Sequence, residues 1–97
     1  MTKNISAVGF EFEKKQSDLI ESKLKRISYA DDLIIDLTMR VKHAKAYSFD
    51  TTVNFRWGNQ CHVASEDFDF AVALNKLMDT LDSKIHKEKE KIQDHTK

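Results

Sequence analysis

The sequence predicts an α+β fold: a β-α-β-β-β-α two-layer sandwich with both helices on one face of a four-stranded sheet. Three observations predict it. Residues 33–42 and 47–57 alternate apolar and polar side chains with period two, which is strand spacing. Phe70, Leu74, Leu77, Met78, Leu81 and Ile85 recur at steps of three and four, one face of an α-helix. Each amphipathic element has a single apolar side, so the helices and the sheet must cover one another.

Taken in order, Lys3–Val8 is a short strand with Ile5 and Ala7 inward, broken by Gly9, and Phe10-Glu11-Phe12 leads into a helix. From Glu13 to Ile27 the apolar positions Leu19, Ile20, Leu24 and Ile27 form a narrow stripe, with Glu21 and Lys25 an i,i+4 pair on the outer side. No Ser, Thr or Asn stands before Glu13 to cap that helix. Ser28–Asp32 is a polar connector. In the second strand Leu33, Ile35, Leu37, Met39 and Val41 point inward. After a bend at His43–Ala46, the third strand turns Tyr47, Phe49, Thr51, Val53, Phe55 and Trp57 inward. Gly58-Asn59 fits a type II′ hairpin turn, since Gly tolerates the positive φ required. A fourth strand, Asn59–Ala64, buries Cys61 and Val63. The opposite face, with Thr38, Arg40, Thr52, Asn54, Arg56 and His62, is wet, as in an antiparallel sheet covered on one side.

Ser65-Glu66-Asp67 reads as the acidic, capping start of the last helix. Its apolar face stops at Ile85, yet helix-favouring residues continue through His86, Lys87, Glu88, Lys89, Glu90 and Lys91. Roughly 27 residues at 1.5 Å each give about 40 Å, more than so small a sheet needs. The basic end is an overhang.

The chain of 97 residues supports one core, so 1–97 is a single domain. Its 16 Lys and Arg balance 16 Asp and Glu, and net charge alone names no polyanionic partner. The distribution does more. Residues 14–26 carry five basic against two acidic groups, residues 40–56 four against one, and residues 84–97 five against three; residues 66–82 reverse this with one against five. Local fields of this kind are what dock on phosphate. A lone Cys61 in an apolar strand excludes an internal disulfide and offers no metal framework. The start MTKNISAVGF lacks a signal peptide's basic and apolar regions, and no apolar run approaches a membrane span. A soluble, cytoplasmic protein is expected.

Enzymatic signals are missing. The only glycines, Gly9 and Gly58, make no phosphate loop, and no Ser-His-Asp or paired-carboxylate pattern stands out. His86 and Glu90 are i,i+4, but two ligands do not make a metal site. No cofactor or metal is expected. Two helices on a small antiparallel sheet are the layout of double-stranded-RNA-binding folds, which touch phosphates and 2′-hydroxyls. Lys84, Lys87 and Lys91 share one helical face, Lys23 and Arg26 are i,i+3 on the first helix, and parallel helices would join these into one phosphate-contacting strip. The alternative is a protein-interaction module that uses the exposed end of the last helix without RNA.

Asn4-Ile5, Lys23-Leu24, Asp32, Lys42, His62-Val63-Ala64-Ser65, Asp69, Ala73, Leu77, Leu81, Lys87, Lys89 and Lys91 carry a resemblance along almost the whole chain. On them the chain resembles the ribosome hibernation-promoting factor family, also called ribosome-associated inhibitors or sigma-factor modulation proteins. The length matches the short form, which lacks a C-terminal dimerisation domain. The resemblance implies a non-enzymatic translation inhibitor of stationary-phase or stressed cells. Such a factor binds the small ribosomal subunit and its rRNA in the mRNA/tRNA channel near the A and P sites and favours inactive ribosome dimers. It implies no DNA or membrane partner and a free monomer. It also implies rRNA contacts by Lys23, Arg26, Lys87, Lys89 and Lys91. Lys84 joins them from the helical-face argument, and Lys42 is a further candidate at the sheet rim. Thr80, Ser83 and Glu88 stand where the family is often basic, which thins the strip, and Asn75 replaces a frequent Asp.

Overall fold

Four strands in the order β1-β2-β3-β4 make one sheet in the computed structural model, which describes residues 1–95 and the side chains of residues 1–91. The elements are β1 (Thr2–Val8), α1 (Lys14–Leu24), a 3₁₀ segment (Lys25–Ala30), β2 (Ile34–His43), β3 (Tyr47–Phe55), β4 (Gln60–Asp67) and α2 (Phe70–His95). The predicted β-α-β-β-β-α order and two-layer packing are borne out. Ile20, Leu24 and Ile27 from the first helical layer and Leu74, Leu77, Met78, Leu81 and Ile85 from α2 are buried in one core. Leu37, Met39, Val41, Phe49, Val53, Phe55 and Val63 meet them from the sheet. The expected antiparallel sheet is instead mixed. β1 pairs parallel with β2, in register from Thr2 with Asp36 to Val8 with Lys42, while β2-β3 and β3-β4 are antiparallel. The helical crossover between β1 and β2 supplies the long connection that a parallel pair needs.

Local departures have local causes. The first helix is α only to Leu24 and continues as the 3₁₀ segment Lys25–Ala30, which takes in the first residues of the expected connector Ser28–Asp32 and buries Ile27 and Ala30. At three residues per turn those two positions stack on the same side. The missing N-terminal cap is replaced from inside the helix: the Glu13 N–H donates to Gln16 Oε1 at 2.9 Å. In β2 a register shift between Ile34 and Asp36 reverses the first inward position. Ile34 is fully buried and Ile35, expected inside, is 52% exposed. The hairpin is a three-residue turn rather than type II′. The Gly58 N–H bonds the Phe55 carbonyl at 3.1 Å, the Phe55 N–H bonds the Asn59 carbonyl at 2.9 Å, and Gly58 takes φ +90° behind Arg56 and Trp57.

The largest correction concerns Ser65-Glu66-Asp67, which belong to β4 and not to the helix. β3 extends to Tyr47 alongside them and pairs Phe49 with Ser65, Ser48 with Glu66 and Tyr47 with Asp67. Backbone pairing outweighs their capping preference. The cap falls to Asp69, whose Oδ1 accepts the Val72 N–H at 3.2 Å. Asp67 accepts the Asp69 N–H and the Lys76 ammonium, both at 2.9 Å; in that order they lower its pKa.

Thr51 points into the core between Met39 and Val63, and its hydroxyl has no partner among the described residues. A near-isosteric Thr51→Val change removes a desolvated polar group without adding volume. It is expected to stabilise the fold by about 1 kcal/mol, seen as a higher midpoint in urea with an unchanged m-value.

Candidate nucleic-acid interface

Ile85 is the last buried residue described on α2, and the charged turns beyond it divide around the helix. Lys84, Lys87 and Lys91 face β4, one of the two edge strands of the sheet. With Gln60, Cys61, His62 and Glu88 they line an open cleft of about 460 Å³. The Lys84 ammonium donates to the His62 backbone carbonyl at 3.0 Å, which anchors one wall. Burial pushes the Cys61 thiol up while Lys84 pulls it down, so it lines the cleft as a neutral thiol. The shared face predicted for the three lysines is therefore one side of a groove.

Glu88, which reads in sequence as a lost cation, is a tether. It accepts the Trp57 indole N–H at 3.3 Å and the Asn59 amide at 3.1 Å. Trp57 also stacks on Phe55, with ring centroids 4.9 Å apart. The β3-β4 turn is thus clamped to α2 at the level where the core ends. Lys91 lies 3.9 Å from the half-buried Glu88, a loose contact in which the lysine itself stays exposed.

The other flank of α2 meets the first helical layer. Phe12 lies against Phe70, Arg26 against Asp79 and Tyr29 against His86, so the two helical elements run parallel. Arg26 is 2.7 Å from Asp79 and 3.6 Å from Asp82. The hydrogen bond to Asp79 is the largest influence raising its pKa. Tyr29 donates to Asp82 and stacks on His86, with centroids 5.1 Å apart and planes at 20°. Burial first, then Asp82, raises its pKa and keeps the phenol neutral. Lys89 lies 5.8 Å from the Tyr29 ring centre.

The seven candidate residues thus fall into separate groups. Lys84, Lys87 and Lys91 are together at the β4 groove; Arg26 and Lys89 are on the opposite flank of α2. Lys23 is half-buried in the last turn of α1. Lys42 is on the open sheet face, opposite Ser48 in β3, and the sheet separates it from both helices. That face is a polar ladder: the Gln60 amide donates to Asn54, the Asn54 amide to Asp36, Ser48 to Glu66, and His62 contacts Asp50. Sequence reasoning missed Tyr29, Asp79 and Asp82 as parts of the basic surface. An aromatic three residues after Arg26 was the available signal; the two aspartates lay within an acidic run with no sign of where they pointed.

Comparison with known proteins agrees with this architecture. The chain superposes on a ribosomal subunit interface protein from Coxiella burnetii with TM-score 0.83 at 22% identity, covering 93% of this chain and 99% of that one. It superposes on the N-terminal domain of Protein Y from Thermus thermophilus with TM-score 0.72 at 23% identity, covering 88% and 96%. At such identities the likeness is one of fold. No protein of curated function matches the chain by sequence. The family described as sigma 54 modulation protein / S30EA ribosomal protein matches residues 4–93, and the chain belongs to that family.

Proposed function

We propose that this protein is a cytoplasmic ribosome hibernation factor, one ribosome-binding domain over residues 1–97 that acts by binding and not by catalysis. As a free monomer it enters the mRNA/tRNA channel of the small subunit near the A and P sites and excludes both RNAs. In stationary-phase or stressed cells it favours inactive ribosome dimers. Family membership supports the ribosomal role, and the observation that carries the interface is the Lys84-Lys87-Lys91 groove against β4. Phosphate contacts there position the protein without reading sequence. Lys23, Arg26 and Lys89 extend the surface on the far flank, and Lys42 contributes at the sheet rim. The test is sedimentation with isolated small subunits, empty or preloaded with mRNA and tRNA. Binding to empty subunits and loss from loaded ones is expected. Equal binding to both removes the channel from the proposal, and capture of a protein partner without any subunit replaces it with an interaction module.

The acidic partners of Arg26 make a second expectation. Asp79 holds the guanidinium in an exposed pair that rRNA phosphate must displace. Asp79→Asn removes one anion and leaves Arg26 only its longer contact with Asp82, 3.6 Å away, so affinity for small subunits rises several-fold at low salt, measured by equilibrium binding. Folding stability changes by less than about 0.5 kcal/mol, because the pair is solvent-exposed.

A further inference from the structure

We infer that the stacked Tyr29–His86 pair is a platform for one unpaired RNA base, flanked by Arg26 and Lys89 for the phosphates on either side. The inference rests on the RNA-binding role proposed above and adds a base contact to it. Tyr29 is 41% exposed and the His86 side chain 58%, although their planes lie within 20° of one another. A tie between the 3₁₀ segment and α2 needs only the Tyr29 hydroxyl on Asp82. The segment is already held by buried Ile27 and Ala30. Asp82 also lies 3.5 Å from His86 Nε2 and so orients both rings, yet neither contact covers them.

Setting distinguishes this pair from the other stacks. Phe55–Trp57 is built into the hairpin clamp, and His43–Tyr47 packs against Phe10 at the opposite end of the helical layer. Among the described stacks, Tyr29–His86 alone has a cation from each helical element beside it: Lys89 over the Tyr29 ring, 5.8 Å from its centre, and Arg26 on Asp82, the carboxylate that also accepts the Tyr29 hydroxyl. Unpaired bases bind by stacking on Tyr or His rings, whereas a base within an A-form helix has both faces covered by its neighbours. A flat π surface beside two cations therefore suits a splayed nucleotide at a loop, bulge or strand end.

Stacking and charge separate by salt. A stacked base is worth a five- to hundredfold change in affinity on removal of the ring and releases no counterions, whereas phosphate contacts set the salt slope. Affinity for small ribosomal subunits is measured over a salt series for wild type, Tyr29→Phe, Tyr29→Leu and His86→Ala, with melting curves for each. Tyr29→Phe keeps the ring and is expected to bind within about twofold of wild type. Tyr29→Leu and His86→Ala are expected to lose about tenfold, with the slope of log K against log salt unchanged. His86→Ala alters an exposed ring, and so decides the matter if Tyr29→Leu unfolds. Wild-type affinity in Tyr29→Leu, or in His86→Ala where Tyr29→Leu does not fold, overturns the platform and leaves the rRNA surface intact. Loss in Tyr29→Phe equal to that in Tyr29→Leu also overturns it, because the hydroxyl would then be the functional group. Wild-type protein that fails to bind subunits overturns the RNA-binding role itself.

Discussion

Lys84→Glu/Lys87→Glu/Lys91→Glu is expected to lower affinity for small ribosomal subunits by at least about a hundredfold near 0.1 M salt. The three ammonium groups line one groove and lie along the same side of α2, so a single phosphate backbone can meet all of them. Each lysine that no longer neutralises a phosphate takes about 0.7–0.9 off the slope of log K against log salt, so three flatten it by about 2–3. Extrapolated from about 1 M to about 0.1 M salt, that slope is worth roughly two to three powers of ten before any repulsion from the new carboxylates. Folding is little affected, because these lysines are exposed and beyond or beside the last core residue. Lys45→Glu, a charge reversal at the β2-β3 turn away from both helices, serves as the control and should leave affinity within about twofold. An unchanged slope in the triple variant would remove the groove from the interface.

Leu77→Ala is the change expected to cost the most stability, about 3 kcal/mol within the 2–5 kcal/mol range for such truncations. Leu77 is wholly buried, one helical turn from Leu74 and Leu81, at the middle of the buried stripe of α2. Neighbours from two layers surround it, so the space left by the missing carbons closes poorly. For a domain of this size the change lowers the melting temperature by about 12–24 °C. Val72→Ala, five residues earlier on the exposed side of the same helix, is expected to cost less than about 0.5 kcal/mol. Calorimetry on the two variants checks the contrast. Similar losses in both would mean that the apolar stripe is not what holds α2 down.

Elements whose side chains follow a simple period were legible in advance. The stripe Leu74, Leu77, Met78, Leu81, Ile85 and the inward series Phe49, Thr51, Val53, Phe55 are buried as their spacing predicts. What misled was local preference read without a partner. Ser65-Glu66-Asp67 resemble a helix cap, but β3 lies alongside and pairs them. Ile34 and Ile35 are equally apolar, and only the bulge against β3 decides which enters the core. Glu88 resembles an interruption of a basic run until Trp57 and Asn59 are seen to donate to it.

The candidate site divides along the same line. Helical periodicity alone determined that Lys84, Lys87 and Lys91 lie on one face, because their mutual geometry depends on nothing beyond a single helix. The order of elements, the one-sided burial and the long basic end of α2 were equally properties of the chain itself. Everything that needs two elements was decided by the tertiary structure. Packing turned the lysine face toward the β4 edge, set Asp79 and Asp82 against Arg26, and stacked Tyr29 on His86. It also put the thickness of the sheet between Lys42 and the helices. Sequence spacing carries the angle of a side chain around its own helix. The direction in which that helix is rotated comes only from burying its apolar stripe against the sheet, and with it the division of one basic end into two flanks.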